Sequence, residues 1–305
     1  MTYKEEINVV NYKRKTILNK TLFIVVSVIV GISAFVMIFP YVYMVVSALK
    51  SQKEILSSSS VLKNFFPKNP NWKVFKEIFT GNERYTVKQF NFLDSVKNTM
   101  IIEILVVPIG TFVSALAAFA FAKMHFKGKN VILMILLVSM MIPFATVMLP
   151  QYRMWRELQL INTLWPLIIP GFFGNMGMML FLITTIKSNV PDSLIEESRV
   201  EGVGWFGIFF KVVLPLIKPA IIAQMLFWFV GIWNDFFGPS IYLTDPEIKT
   251  VQVLIMSLNS TAGAELGDLP FVMAAAFISS LPIILLFILM NKAFVQTNAT
   301  AGIKG

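Results

Sequence analysis

Six blocks of apolar residues, each long enough to cross a bilayer, alternate along the chain with segments carrying lysine, asparagine and acidic residues. They cover about 22–46, 100–122, 131–149, 164–185, 217–243 and 271–294. A helix needs about 20 mainly apolar residues to span the hydrocarbon core. The pattern therefore predicts an all-α polytopic membrane protein of six transmembrane helices. Its expected parts are an N-terminal segment 1–21, a transmembrane domain 22–294 and a tail 295–305. Pro40 falls in the first block and should kink it or mark its outer end.

Between the first two blocks lies a long polar loop, 50–97. Its apolar positions Trp72, Phe75, Ile78 and Phe79 have the spacing of a short amphipathic helix. The second block carries Gly110, Ser114, Ala115, Ala117 and Ala118, which let helices approach closely. The fourth carries Gly171, Gly174 and Gly177 on nearly one face, as expected of a packing surface.

Lysine and arginine set the orientation. With the N-terminus inside, the inner segments hold Lys4, Lys13, Arg14, Lys15, Lys20, Lys123, Lys127, Lys129, Lys187, Arg199, Lys211, Lys218, Lys292 and Lys304. The two later outer loops hold just Arg153, Arg156 and Lys249, whereas the long first outer loop departs from the trend with nine basic residues. Both termini and the segment 187–216 are then cytoplasmic. The net charge of +9 fits lysines flanking membrane spans better than a nucleic-acid surface.

Composition agrees. The 305 residues are 56% hydrophobic and 14% charged, with a mean hydropathy of +0.71. The absence of cysteine excludes disulfides and thiolate chemistry, and the single histidine, His125 in a basic turn, suits neither a zinc hydrolase nor a Ser-His-Asp triad. Gly202-Val203-Gly204-Trp205-Phe206-Gly207 matches G-x-G-x-x-G literally, but helices flank it where a dinucleotide site needs a strand. No G-x-x-x-x-G-K-[ST] occurs, so no ATP site is expected on this chain. No metal is expected either.

The most structured polar stretch is 187–216. Pro191 suits a helix start. Ser193 and Glu196 have the spacing of a capping box. Gly202 and Gly204 end that helix, and a second, apolar helix over 205–213 runs to Leu214-Pro215. Two short helices meeting at a glycine corner beneath the membrane invite a partner protein; an interfacial helix with no partner is the alternative.

This stretch resembles the permease signature of ABC importers: E-A-A, then an acidic residue and glycine, then Leu-Pro. The matching positions are Glu196, Glu201-Gly202 and Leu214-Pro215, with Glu197 and Ser198 in place of the two alanines. Other parts are similar to the maltose-type carbohydrate importers: Ser47-Ala48-Leu49-Lys50, Asn98-Thr99, Phe119-Ala120-Phe121-Ala122-Lys123, Ile142-Pro143, Leu149-Pro150, Trp233-Asn234-Asp235 and Gly302-Ile303-Lys304-Gly305.

The resemblance implies the type I ABC importer permease fold. It also implies a second permease subunit, two cytoplasmic ATPase subunits that bind ATP and Mg, an extracytoplasmic sugar-binding protein, and a sugar as cargo. Glu196, Glu201, Gly202, Gly204, Leu214 and Pro215 would couple to the ATPase. Trp228, Trp233, Asn234 and Asp235 are candidates for lining the sugar pathway; helix packing and an aromatic belt are the other reading of the same four. A stand-alone secondary transporter would instead use ionisable residues inside the spans, where Glu103 and Asp235 lie. A membrane glycosyl-transferring enzyme would want clustered acidic metal ligands, and Asp245, Glu247, Glu265 and Asp268 are scattered.

Overall fold

A computed structural model describes residues 3–57, 64–80, 91–260 and 268–301, and every structural statement here concerns these residues. Residues 302–305, with the closing glycine–lysine–glycine pattern, and Glu265 lie outside them, as do parts of the loop 50–97.

The described residues are helical, with no strand. In chain order the helices are α1 (Tyr3–Ala48), α2 (Gln52–Leu56), α3 (Lys73–Thr80), α4 (Phe92–Lys123), α5 (Lys129–Met140), α6 (Phe144–Glu157), α7 (Trp165–Phe172) and α8 (Met176–Asn189). Then come α9 (Asp192–Val200), α10 (Trp205–Ile208), a π-turn (Phe209–Val213), α11 (Leu214–Trp233), α12 (Phe237–Tyr242), α13 (Val251–Ser260) and α14 (Leu269–Ala301). Five segments are long and apolar enough to cross a membrane: Lys20–Ala48, Phe92–Lys123, Trp165–Asn189, Trp205–Trp233 and Leu269–Met290.

The expected third span, 131–149, is not one straight helix. It breaks at residues 141–143 into α5 and α6, which meet at 93°. Pro143 accounts for the break: it has no N–H to give the helix and pushes Ile142 out of helical geometry. Counted as one span, this bent pair brings the total to the expected six.

The chain forms two compact units. One comprises Met1–Phe75 and Asp268–Ile278. Here α1 keeps its apolar side chains exposed from Leu22 to Ile38, and Pro40 lies within it. The buried Lys50 ammonium donates to the Asn64 carbonyl at 2.6 Å, and Leu269 N–H donates to Gln52 Oε1 at 2.8 Å. The unit ends within α3, whose buried residues are Val74 and, past the unit boundary, Ile78, an i,i+4 pair; Phe79 is exposed, as is Trp72 just before the helix. The amphipathic helix expected over 71–79 is therefore present, with its buried stripe turned toward Val74.

The other unit comprises Lys76–Gly267 and Ser279–Gly305. Its core joins α4, α8 and α11: Ala118, Phe119, Leu182, Ile186, Ile208, Phe209, Val213 and Ile217 are all at most 2% exposed. Small residues make the close approaches. A Cβ on Gly110 would fall 2.3 Å from the Trp228 ring and 2.4 Å from the Gly171 carbonyl; one on Gly171 would fall 2.4 Å from Val106. Gly174, at φ +89, separates α7 from α8, and Ser114 Oγ accepts the Asn175 N–H at 2.8 Å. The small faces of the second and fourth spans are thus packing surfaces.

Candidate functional site

The segment after α8 forms an elbow. Val190 is buried, Pro191 is extended at the N-cap, and α9 starts at Asp192. The expected capping box between Ser193 and Glu196 is absent: no side chain caps α9. Pro191 takes the cap position, so Ser193 falls inside the first turn, two residues too late to cap.

The corner has a Schellman geometry. Val203 N–H donates to the Ser198 carbonyl at 2.9 Å, and Gly202 N–H to the Arg199 carbonyl at 3.0 Å. Gly202 sits at φ +81, the left-handed region that glycine enters without steric cost. A Cβ on Gly202 or Gly204 would meet no atom of this chain within 4 Å. The Arg199 guanidinium lies 4.7 Å above the Trp205 ring, and Trp205 meets Phe119 of α4 edge-on at 6.0 Å.

The elbow has two faces. Ile195, Ile208, Phe209 and Val213 are buried in the core. Glu196, Glu197, Glu201, Gly202 and Gly204 are exposed. The elbow thus buries one face and leaves acidic residues and an open glycine corner exposed on the other.

The second elbow helix does not stop at Pro215. The stretch from Trp205 to Trp233 is continuous, and the expected break before the fifth span is replaced by the π-turn. Leu214 N–H reaches back to Phe209 O. One wide turn lets the Pro215 ring clear the carbonyl that a regular α-helix would drive into it. Leu214 is half-buried and Pro215 exposed. The elbow and the fifth span are consequently one rod.

A tie that sequence reasoning missed fixes the elbow's start. The Lys123 side chain, 5% exposed, donates to the Val190 carbonyl at 2.6 Å and to Asp192 Oδ1 at 2.5 Å. This hydrogen bond and the adjacent positive charge hold the Asp192 carboxyl below the usual carboxylate range. At the other end of α4, Asn98 Nδ2 donates to the carbonyls of Glu247 and Lys249 at 2.9 and 3.2 Å, and Thr99 Oγ1 accepts the Val251 N–H at 3.1 Å.

The structure separates the four pathway candidates. Trp228 packs against Gly110, and Trp233, 1% exposed, donates its ring N–H to Ser279 O at 2.9 Å. Both make packing contacts here. Asn234 is exposed at the C-cap of α11; its amide donates to Val230 O at 2.9 Å. Asp235 lies beyond the end of the span, half-buried, and lines a cavity of about 470 Å³ with Phe144, Gln151, Phe237 and Tyr242. Burial holds its carboxyl above the usual range, against the pull of N–H donors at Gly238 and Phe237. Glu103 is buried within α4. Gln151, Phe144 and Tyr242 had no signal in the sequence, because they reach the cavity from separate elements.

Residues 110–298 match the family described as "Binding-protein-dependent transport system inner membrane component". Curated relatives cover nearly the whole chain. The chain is 26% identical over 272 residues to the arabinooligosaccharides transport system permease protein AraQ of Halalkalibacterium halodurans, covering 89% of this chain and 93% of that one. It is 28% identical to the melibiose/raffinose/stachyose import permease protein MelC of Bacillus subtilis, covering 92% and 96%. Among solved structures, a chain of a bacterial ABC transporter involved in the import of the acidic polysaccharide alginate superposes with a TM-score of 0.74 at 21% identity, over 90% of this chain and 96% of that one. That likeness establishes the fold.

Proposed function

The chain belongs to the family of binding-protein-dependent transport system inner membrane components, and from that premise we propose that it is one permease subunit of an ATP-driven oligosaccharide importer. The family match over 110–298, which spans the elbow and four of the six spans, carries this reading. The relatives are named for arabinooligosaccharides and for melibiose, raffinose and stachyose, which supports an oligosaccharide as cargo.

In this reading the chain pairs with a second permease, both termini lie in the cytoplasm, and a binding protein delivers sugar from outside. Two ATPase subunits bind ATP and Mg and hydrolyse the nucleotide; this chain holds neither. The exposed face of the elbow, Glu196, Glu201, Gly202 and Gly204, docks in a cleft of one ATPase. Leu214 and Pro215 join the docked helix to the fifth span. Because α10, the π-turn and α11 are continuous, motion of the ATPase tilts the whole rod without needing a hinge. Lys123 carries the same motion to α4.

The test is reconstitution. Vesicles holding this chain, its partner permease and the ATPase should take up labelled raffinose or arabinotriose when binding protein and ATP are both present. Uptake that persists without the ATPase, driven by an ion gradient, would overturn the reading in favour of secondary transport.

A further inference from the structure

The cavity beside Asp235 lies at the end of the fifth span remote from the elbow. The segment Trp205–Trp233 is 29 residues long, so at 1.5 Å per residue the two ends are about 40 Å apart. The cavity opens among α6, α7 and α12, and its volume of about 470 Å³ is in the range of small-molecule pockets.

Its walls are aromatic. Phe144 and Phe237 meet edge-to-face at 5.8 Å, and Tyr242 donates its hydroxyl to Gln151 Oε1 at 3.4 Å. Two polar side chains face this apolar surround. Asp235 accepts the Gly238 N–H at 3.2 Å through Oδ1, which leaves acceptor capacity on Oδ2. Gln151 keeps an amide donor group. The backbone at and after Tyr242 is fixed by Asn162, whose N–H donates to Tyr242 O at 2.9 Å and whose Oδ1 accepts from Thr244 N and Asp245 N at 2.7 and 3.1 Å. Such a pocket is formed before any ligand arrives, which reduces the ordering cost of binding.

We propose that this cavity is an outer-face subsite for one neutral sugar unit of the cargo, with Asp235 and Gln151 as its hydroxyl partners. The proposal rests on the importer reading above. Sugar rings present C–H faces that lie against aromatic side chains, and hydroxyls that need acceptors and donors at the edge. A carboxylate accepts hydroxyl hydrogen bonds of the charge-assisted kind, about twice as strong as neutral ones. The same group rejects an acidic sugar, because a uronate carboxylate would meet a like charge and no cation among the lining residues. The site therefore also sets specificity by charge.

The experiment uses the assembled complex in nanodiscs without binding protein. Saturation-transfer NMR is recorded with raffinose, arabinotriose and trigalacturonate as probes. The wild type should bind at least one neutral probe and not trigalacturonate. Asp235→Asn should lower neutral-sugar affinity about tenfold, the scale of one hydrogen bond to a charged group, and admit trigalacturonate. Gln151→Ala should weaken the neutral probe without admitting the acidic one. Size-exclusion chromatography checks that each variant assembles.

Wild-type vesicles assayed for ATP-driven uptake separate two failures. Uptake by the wild type, with no neutral probe bound or with both variants binding as the wild type does, overturns the subsite and leaves the importer standing. No ATP-driven uptake of any neutral sugar removes the importer reading and the subsite with it.

Discussion

The ammonium of Lys123, in the last turn of α4, lies 2.5 Å from the carboxylate of Asp192, the first residue of the elbow helix α9. The same nitrogen donates to the Val190 carbonyl. One buried cation thus satisfies a carbonyl at the end of α8 and neutralises an acid at the start of α9. The side chain of Asp192 is itself 78% exposed, so the pair holds geometry more than it adds stability.

Lys123→Met should loosen the elbow's first turn without unfolding the chain. Amide exchange over 190–195 should rise by about fivefold at most at neutral pH, the scale of an exposed ion pair. The pH dependence has a definite sign. Lys123 depresses the folded pKa of Asp192, so the tie is fully present above the unfolded value of about 3.9 and is lost as pH falls through the folded value. After correction for intrinsic rates, the wild type should approach the variant only in acid. Identical exchange in the two proteins at neutral pH would show that the tie does not order the elbow.

Two glycines should respond oppositely to alanine. Gly110→Ala places a methyl against the Trp228 ring and the Gly171 carbonyl; the indole can turn aside but the backbone cannot. Overpacking of this kind costs about 1–3 kcal/mol, so the thermal midpoint of the purified protein should fall. Gly231→Ala meets nothing within 4 Å in the α11 helix and gains helix propensity. Its midpoint should hold or rise. Equal midpoints for both would contradict the packing of α4 against α7 and α11.

The orientation rests on the basic inner turns. The chain has no cysteine, so single thiols report without background. Thr244→Cys, on an exposed residue after α12, should react with an impermeant maleimide in intact cells. Glu197→Cys, on the exposed face of α9, should react only after permeabilisation. The reverse pattern would invert the topology.

The spans were legible because each is a block of apolar residues, and hydropathy is a property of the block. Directions within a block were not. The block 131–149 reads as one span, yet Ile142-Pro143 within it is the corner of a 93° bend. Pro215 reads as a stop, yet the π-turn ending two residues earlier, at Val213, absorbs it. Gly202 was legible because left-handed backbone at a helix end has a local cause. Lys123 was counted as an inside charge, but Asp192 lies 69 residues further on and nothing local announces the pair. The cavity was half legible: Asp235 stood out as a polar residue near an apolar span, while Phe144 and Gln151 become neighbours only through the fold.

The central claim, that the elbow couples this chain to an ATPase, is tested most directly at Gly202. A Cβ there meets no atom of this chain within 4 Å, so the side chain leaves the backbone into open space. A leucine there faces the strain of φ +81, on the order of 1–3 kcal/mol, and its side chain projects where the ATPase would close. Sugar-stimulated ATP hydrolysis and sugar uptake are measured together in vesicles, beside the amount of complex containing the partner permease. Gly202→Leu should insert and pair with its partner permease at wild-type level, while hydrolysis and uptake fall together by about 5–150-fold. Wild-type hydrolysis and uptake in that variant would contradict the account.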